Sequence, residues 1–435
     1  MIKNWIYLFY FLWVALLRAN TPEWSGRILT SGIGPTSLNG KWIQKNIWAS
    51  NQINYSLHER LIFNSKIFYT YSDSPYSILP KDPSGEFSKV DISELELITY
   101  PTPDKVKFLI GKSVVKWGKM DGPSPLDVYK TKRNFLQNPD SYWQDRGQYQ
   151  TQLKILKLGE SHWSLDFNYS WRGEAVDLTL PKNKIPLNLE LEREKKDSSF
   201  LSGNHREESA FKLSYTGELQ DFELVGFHGY EHQTLLKQEA LVLVGTTPLI
   251  ILAPLHLKKD LIGMGWSRAL EHWILRAEAA HVMYEKNNNL LYQSINQSHF
   301  SFGAERSIGD ELRFIIETHY TKQEDRELNA PSNSIITDAL RNSNRSIIGP
   351  LKEDRLGFML HGFYQQENVP EWKYELSSMT YAGDNAGFIG PAISYEWFSG
   401  LKSQMFAQIY WGDNASPLGQ LKELNSLGLS LEYFY

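Results

Sequence analysis

Cysteine is missing altogether, which excludes a disulfide framework, a cysteine-ligated zinc site and a lipid-bearing N-terminal cysteine. Neither sign of charge dominates: the formal net charge is −5, which gives nucleic acid no basic surface to bind, so none is expected as a partner. Beyond the N-terminus there is no long apolar run of the roughly 20 residues that a spanning helix needs. Residues 236–257 come nearest, with Leu241, Val242, Leu243 and Val244 followed by Leu249, Ile250, Ile251 and Leu252, but a glycine, two threonines and two prolines interrupt them. They are expected to form a loop over or into a pore, or strand tips beyond the membrane. A Gly-x-Ser-x-Gly nucleophile run is absent. The 11 histidines are scattered, and His228 and His232 sit where a strand leaves into a loop rather than on one helical face. No metal, cofactor or covalent chemistry is expected. Gly/Ser linkers and low-complexity blocks are also lacking, so nothing divides the chain into domains.

The N-terminus supplies the one continuous apolar segment. Lys3 precedes residues 5–17, which are almost free of polar side chains, and a small residue follows at Ala19. A basic start, a short apolar core and a small residue read as a secretory signal peptide over residues 1–19, leaving 20–435 as the mature domain.

That mature chain is rich in aromatics, at 13% of the whole sequence, and its polarity alternates. In residues 161–172, Trp163, Leu165, Phe167, Tyr169 and Trp171 share one face of a strand. His162, Ser164, Asp166, Asn168, Ser170 and Arg172 share the other. The pattern recurs at about ten residues per segment, the signature of a transmembrane β-barrel. Short turns separate consecutive segments at Gly159-Glu160, Gly217-Glu218, Gly309-Asp310 and Ser399-Gly400, with two more near residues 101–104 and 368–370. Longer connections lie between these hairpins, at 117–147, 173–207, 232–257 and 321–353. The expected fold is all-β: an antiparallel barrel of about 18 strands, with 16 the alternative count, short periplasmic turns and long outer loops.

The face opposite the apolar one identifies candidate lumen residues. Lys154, Asp166, Arg172, Arg276, Glu278, Arg313, Glu317 and His319 all fall on it. So many ionisable groups are too costly to bury without water or partners, so the interior is expected to be wet and charged. Arg172, Arg276 and Arg313 have Asp166, Glu278 and Glu317 as the expected partners for structural pairs. Residues 90–100 and 105–117 fit either register. The last strand, near residues 425–435, sets Leu427, Leu429, Leu431, Tyr433 and Tyr435 against Ser426, Gly428, Ser430, Glu432 and Phe434.

The 117–147 connection carries Lys119, Asp121, Asp127, Lys130, Lys132, Arg133 and Arg146 in a Gly/Pro-shaped segment. Both signs of charge in one such loop suit the constriction of a wide pore, or the surface of a solvated outer loop. The run Gly111, Val115, Trp117, Gly118, Asp121, Gly122, Leu126, Asp127 and Val128 resembles proteobacterial outer-membrane porin-like proteins in the neighbourhood of the alginate-export porins. Residues 412–420 and Leu275 to Ala280 echo them more weakly. The resemblance implies a monomeric barrel that passes or exports a solute. The expected partners are therefore outer-membrane lipid and a small polar or charged solute or polysaccharide. The alternatives are a lipase- or protease-type barrel enzyme, and an adhesin or receptor barrel acting through its outer loops.

Overall fold

In the computed structural model, the described residues are 23–35, 44–73, 86–129, 131–132, 145–158, 162–172, 189–191, 207–232, 235–244, 247–287, 292–327, 354–383, 385–412 and 425–434. Residues 1–22, including the expected signal peptide, lie outside them, as does the Gly159-Glu160 turn. Eighteen strands form one sheet, each antiparallel to its neighbours in chain order. The last, Ser426–Phe434, pairs with the first, Glu23–Pro35, from Arg27↔Phe434 to Pro35↔Ser426. The sheet is thus a closed barrel, with no edge strand left over.

The shortest turns gather at one rim of the ring and the longest connections at the other. At one rim the strands are joined by two or three residues at 59–60, 103–105, 217–219, 271–272, 309–311 and 399–400. Gly400 shows why glycine is chosen there, since its φ of 96° is strained for any residue with a Cβ. At the other rim lie the long connections, 114–147, 173–207, 231–257 and 328–353 among them. The first barrel strand starts and the last ends at the short-turn rim.

Alternation translates directly into two faces. Leu153, Phe167, Leu224, Met264, Phe302, Ile316, Leu360 and Leu429 point outward and are 39–57% exposed. Between them, inward, lie Gln150, Asn168 and Glu317, each 0% exposed. An exterior of exposed Leu, Ile, Met and Phe around the whole circumference is unstable in water and stable against hydrocarbon. Toward the short-turn rim the exposed residues become aromatic: Trp163, Phe222, Trp372, Trp397, Phe398 and Tyr433. That is the girdle expected where a membrane meets water. Only closed barrels and helices span a membrane with every backbone group paired, and this chain uses the former.

Three departures from the sequence pattern have local causes. The strand expected over 105–117 is shorter, Val106–Ser113, and 114–129 turns into the lumen. In Glu86–Thr102 both faces carry apolar residues, and register shifts between Lys66 and Ile67 and between Thr99 and Thr102 decide the matter: Ser93, Glu96 and Ile98 face in, Leu95 and Leu97 out. Within 232–257, Leu235–Val244 pairs antiparallel with Thr247–Leu255, and Leu189–Leu191 joins them in parallel in a separate three-stranded sheet.

Candidate functional site

The lumen is organised by residues 114–129, which leave the barrel wall after Ser113 and fold inward against the strands from Glu208–Thr216 to Leu312–Glu327. The segment is pinned first to itself. Asp127 Oδ1 accepts hydrogen bonds from the backbone N–H of Trp117 (2.9 Å) and Gly118 (2.7 Å), closing a ten-residue loop on one carboxylate. Ser124 Oγ accepts from Leu126 N at 3.1 Å and donates to Glu278 Oε2 at 2.5 Å.

Two wall carboxylates then hold the loop to the barrel. Glu278, on Trp273–Tyr284, accepts the N–H groups of Lys119 and Met120, the latter at 3.2 Å. Glu317, on Leu312–Glu327, takes the next two, Asp121 N on Oε1 at 2.8 Å and Gly122 N on Oε2 at 3.0 Å. Hydrogen bonds to a charged acceptor are roughly twice as strong as neutral ones. Four consecutive backbone donors that a tight turn would otherwise leave unpaired are thereby satisfied. Gly122 is required for this approach. A Cβ there would lie 2.7 Å from Glu317 Oε2, 2.8 Å from Met359 Sδ and 3.1 Å from His319 Nε2.

Side-chain charges complete the attachment. Lys119 Nζ donates to Asp221 Oδ2 at 3.3 Å and to Ser267 Oγ at 3.1 Å. A chain of ion pairs climbs from the short-turn rim to the loop: Arg313 to Glu305 at 2.6 Å, Glu305 to Arg276, and Arg276 to Asp121 at 3.3 Å. Partial burial holds the Asp121 carboxyl above the usual carboxylate range; Arg276 pulls it down, while Glu317 and Glu305 push it up again.

The underside of the loop is dry on one side. Val115, Trp117, Leu126, Val128 and Tyr129 pack against wall residues including Ala210, Val225, Phe227, Leu261, Ala280 and Val282 in one buried cluster. Tyr129 meets Trp117 and Phe227 edge to face, with ring centres 5.9 and 5.6 Å away. Burial, followed by the neighbouring Glu208 and Asp166 charges, raises its phenol well above the ordinary value. A uniformly wet and charged interior is therefore the wrong picture for this wall. Its inward positions carry Val, Phe, Leu and Ala because a loop, not water, lies over them. Toward Gln148–Ile155 and Trp163–Arg172 the cover turns polar, with Gln150 and Asn168 fully buried and Gln152 Nε2 donating to Asp166 at 2.8 and 2.9 Å.

The structure brings Arg276, Glu278, Arg313, Glu317 and His319 together with Lys119, Asp121 and Asp127 around this loop. Two of the expected pairs are not formed: Arg276 binds Asp121 and Glu305 rather than Glu278, and Arg313 binds Glu305 rather than Glu317. Both glutamates are spent instead on loop backbone, and His319 lies 3.1 Å from Glu317 with its other nitrogen 2.9 Å from Ser301 Oγ. Lys154 sits opposite Asp166, half-buried on the inward face. Lys130 and Arg133 lie outside the described residues, as do the side chains of Lys132, Arg146 and Arg172. Thr131–Lys132 and Asp145–Arg146 pair as a small two-stranded sheet. Residues the sequence reading missed are Glu305, Asp221, Ser124 and Ser267. Inward parity could have found Glu305, Asp221 and Ser267; Ser124 lies on the loop and has no such signal.

No protein-family model matches the chain, and no curated protein does so. Solved structures do. OccAB4 of Acinetobacter baumannii is matched at 10% identity with a TM-score of 0.52, covering 96% of this chain and 99% of that one. OccAB2 of the same organism follows at 8% identity and 0.52, covering 95% and 98%. Identity this low speaks for the fold alone, and the fold is that of an outer-membrane β-barrel of eighteen antiparallel strands.

Proposed function

We propose that the protein is an outer-membrane channel that passes a polar or charged solute through a lumen narrowed by residues 114–129, with no covalent step. The observation that carries this reading is the attachment of the loop: Glu278 and Glu317 hold four consecutive loop N–H groups inside the barrel. An outer loop that served only as a surface epitope would have no need of buried wall carboxylates, whereas a constriction must keep its place while solute passes. Beside it, Asp121, Asp221 and Arg313 keep 37–46% of their side-chain surface exposed. These, with Lys154, are the groups on which a polar solute could exchange water for protein contacts. On this reading the barrel works as a monomer.

The test is conductance of the refolded barrel in a planar bilayer under a salt gradient. The wild type is expected to show stable ohmic steps, and replacement of residues 118–125 by a short Gly/Ser linker to enlarge them. Equal step size in both proteins would take the loop out of the conduction path. Complete silence from correctly folded wild type would remove the channel itself.

A further inference from the structure

Charges that face the lumen come in pairs. Lys66, Lys119, Lys212, Lys259, Arg276 and Arg313 each have a carboxylate within 4.0 Å. Paired in this way they offer donors and acceptors side by side, with little net charge for a free ion to follow. A solute ion would trade full hydration for groups that are already compensated. A hydroxyl group, by contrast, exchanges water for protein hydrogen bonds at little net cost.

On the short-turn side of the loop tip, this pairing surrounds an aromatic ring. Arg313, Phe363 and Glu375 are register partners on Leu312–Glu327, Asp354–Gln365 and Trp372–Tyr381, and all three fall on the inward face. Phe363 is half-buried. The Arg313 guanidinium lies 5.9 Å from its ring centre and the His361 ring centre 4.1 Å from it. Arg313 meets Glu305 through Nε and keeps 46% of its side chain exposed. Glu375 Oε1 stands 2.9 Å from His361 Nε2, and the Glu375 side chain is 32% exposed. Four residues back along the same strand, about 14 Å, is Met359, whose Sδ would lie 2.8 Å from a Cβ on Gly122. The ring therefore sits on the wall just beyond the constriction, beside the path of whatever has passed it.

We infer that Phe363 is the floor of a subsite for a neutral saccharide. The apolar face of a pyranose ring stacks on Phe363, and its hydroxyls bridge the donor nitrogens of Arg313 and the carboxylate of Glu375. An aromatic face between a donor and an acceptor matches a sugar, which is apolar on its faces and polar around its edge. A zwitterion reaching for both Arg313 and Glu375 would have to compete with Glu305 and His361, which already hold them; a hydroxyl needs only a hydrogen bond from each. This rests on the channel reading and narrows its solute.

Block of the single-channel current by added solute tests it, with maltotriose as the neutral probe, triglycine as the zwitterion and trigalacturonate as the anion. Maltotriose is expected to block the wild type saturably, and at lower concentration than the other two. Phe363→Ala should weaken that block about tenfold. Glu375→Gln, which keeps an acceptor oxygen and removes the charge, should leave it within about twofold. A heat-shift gel shows that both variants fold. A current that maltotriose leaves untouched, a block equal in Phe363→Ala, a block abolished by Glu375→Gln, or tighter block by triglycine or trigalacturonate would each overturn the subsite and leave the channel standing. Silence from the folded wild type would remove both.

Discussion

Asp121 is the residue on which the electrostatics of the constriction turn. It sits at the loop, 39% exposed, with Arg276 at 3.3 Å. Its carboxyl is held above the ordinary carboxylate range, mainly by partial burial. On acidification it therefore takes up its proton earlier than an ordinary aspartate would, and Arg276 loses one of its two acceptors. The local charge becomes more positive, so the reversal potential in a potassium chloride gradient should move toward anion preference as pH falls from neutral into the mildly acidic range. Asp121→Asn should already show the shifted potential at neutral pH and lose that part of the pH dependence. A variant that titrates as the wild type does would assign the effect to another group. Inward placement of Arg276, Glu278, Glu317 and His319 was legible in the sequence, because parity along a strand is decided by the alternation itself. Their partners were not. Pairing Arg276 with Glu278 supposes that residues two apart on one face choose each other, whereas Glu305 on the next strand and Asp121 on the loop stand nearer.

At the scale of the element, the 114–129 loop is held chiefly by donors that have no side chain. Glu278 and Glu317 accept from four backbone N–H groups, and nothing in a residue's identity announces that its N–H will be taken by a distant carboxylate. The charged residues of the 117–147 connection drew the sequence reading, whereas Gly122 and Ser124 do as much to seat the loop. Glu317→Ala leaves Asp121 N and Gly122 N facing a small cavity without an acceptor, at about 1–3 kcal/mol for each buried donor that water fails to reach. The expected result is a barrel that still folds and shows the heat shift, but whose open-channel current is noisier and whose mean conductance changes as the loop tip leaves the wall. Glu317→Gln, which keeps one acceptor oxygen, should fall between the two. A quiet Glu317→Ala channel with wild-type conductance would mean that Asp127, Glu278 and the apolar contacts of Leu126 and Tyr129 suffice to seat the loop.

At the scale of the molecule, closure carries the stability, and it depends on the pairing of Ser426–Phe434 with Glu23–Pro35. That the last strand alternates was plain from Leu427, Leu429 and Leu431. That it meets the first strand follows only from an even count and a complete ring. In an open sheet a proline on the edge strand turns its missing N–H to solvent and is tolerated. Here Leu429 has Gly32 on one side and Met405 on the other, so no position in this strand has a free side. Leu429→Pro should therefore break one ladder bond at the closing seam, which hydrocarbon cannot repair as water would. The expected outcome is a chain that no longer migrates differently before and after boiling on a denaturing gel, whereas Leu429→Val retains the wild-type shift. If Leu429→Pro also kept the shift, the seam would have to be a late and dispensable contact, and the barrel's integrity would lie in the sixteen strands between; the absence of any other edge to seal argues against that.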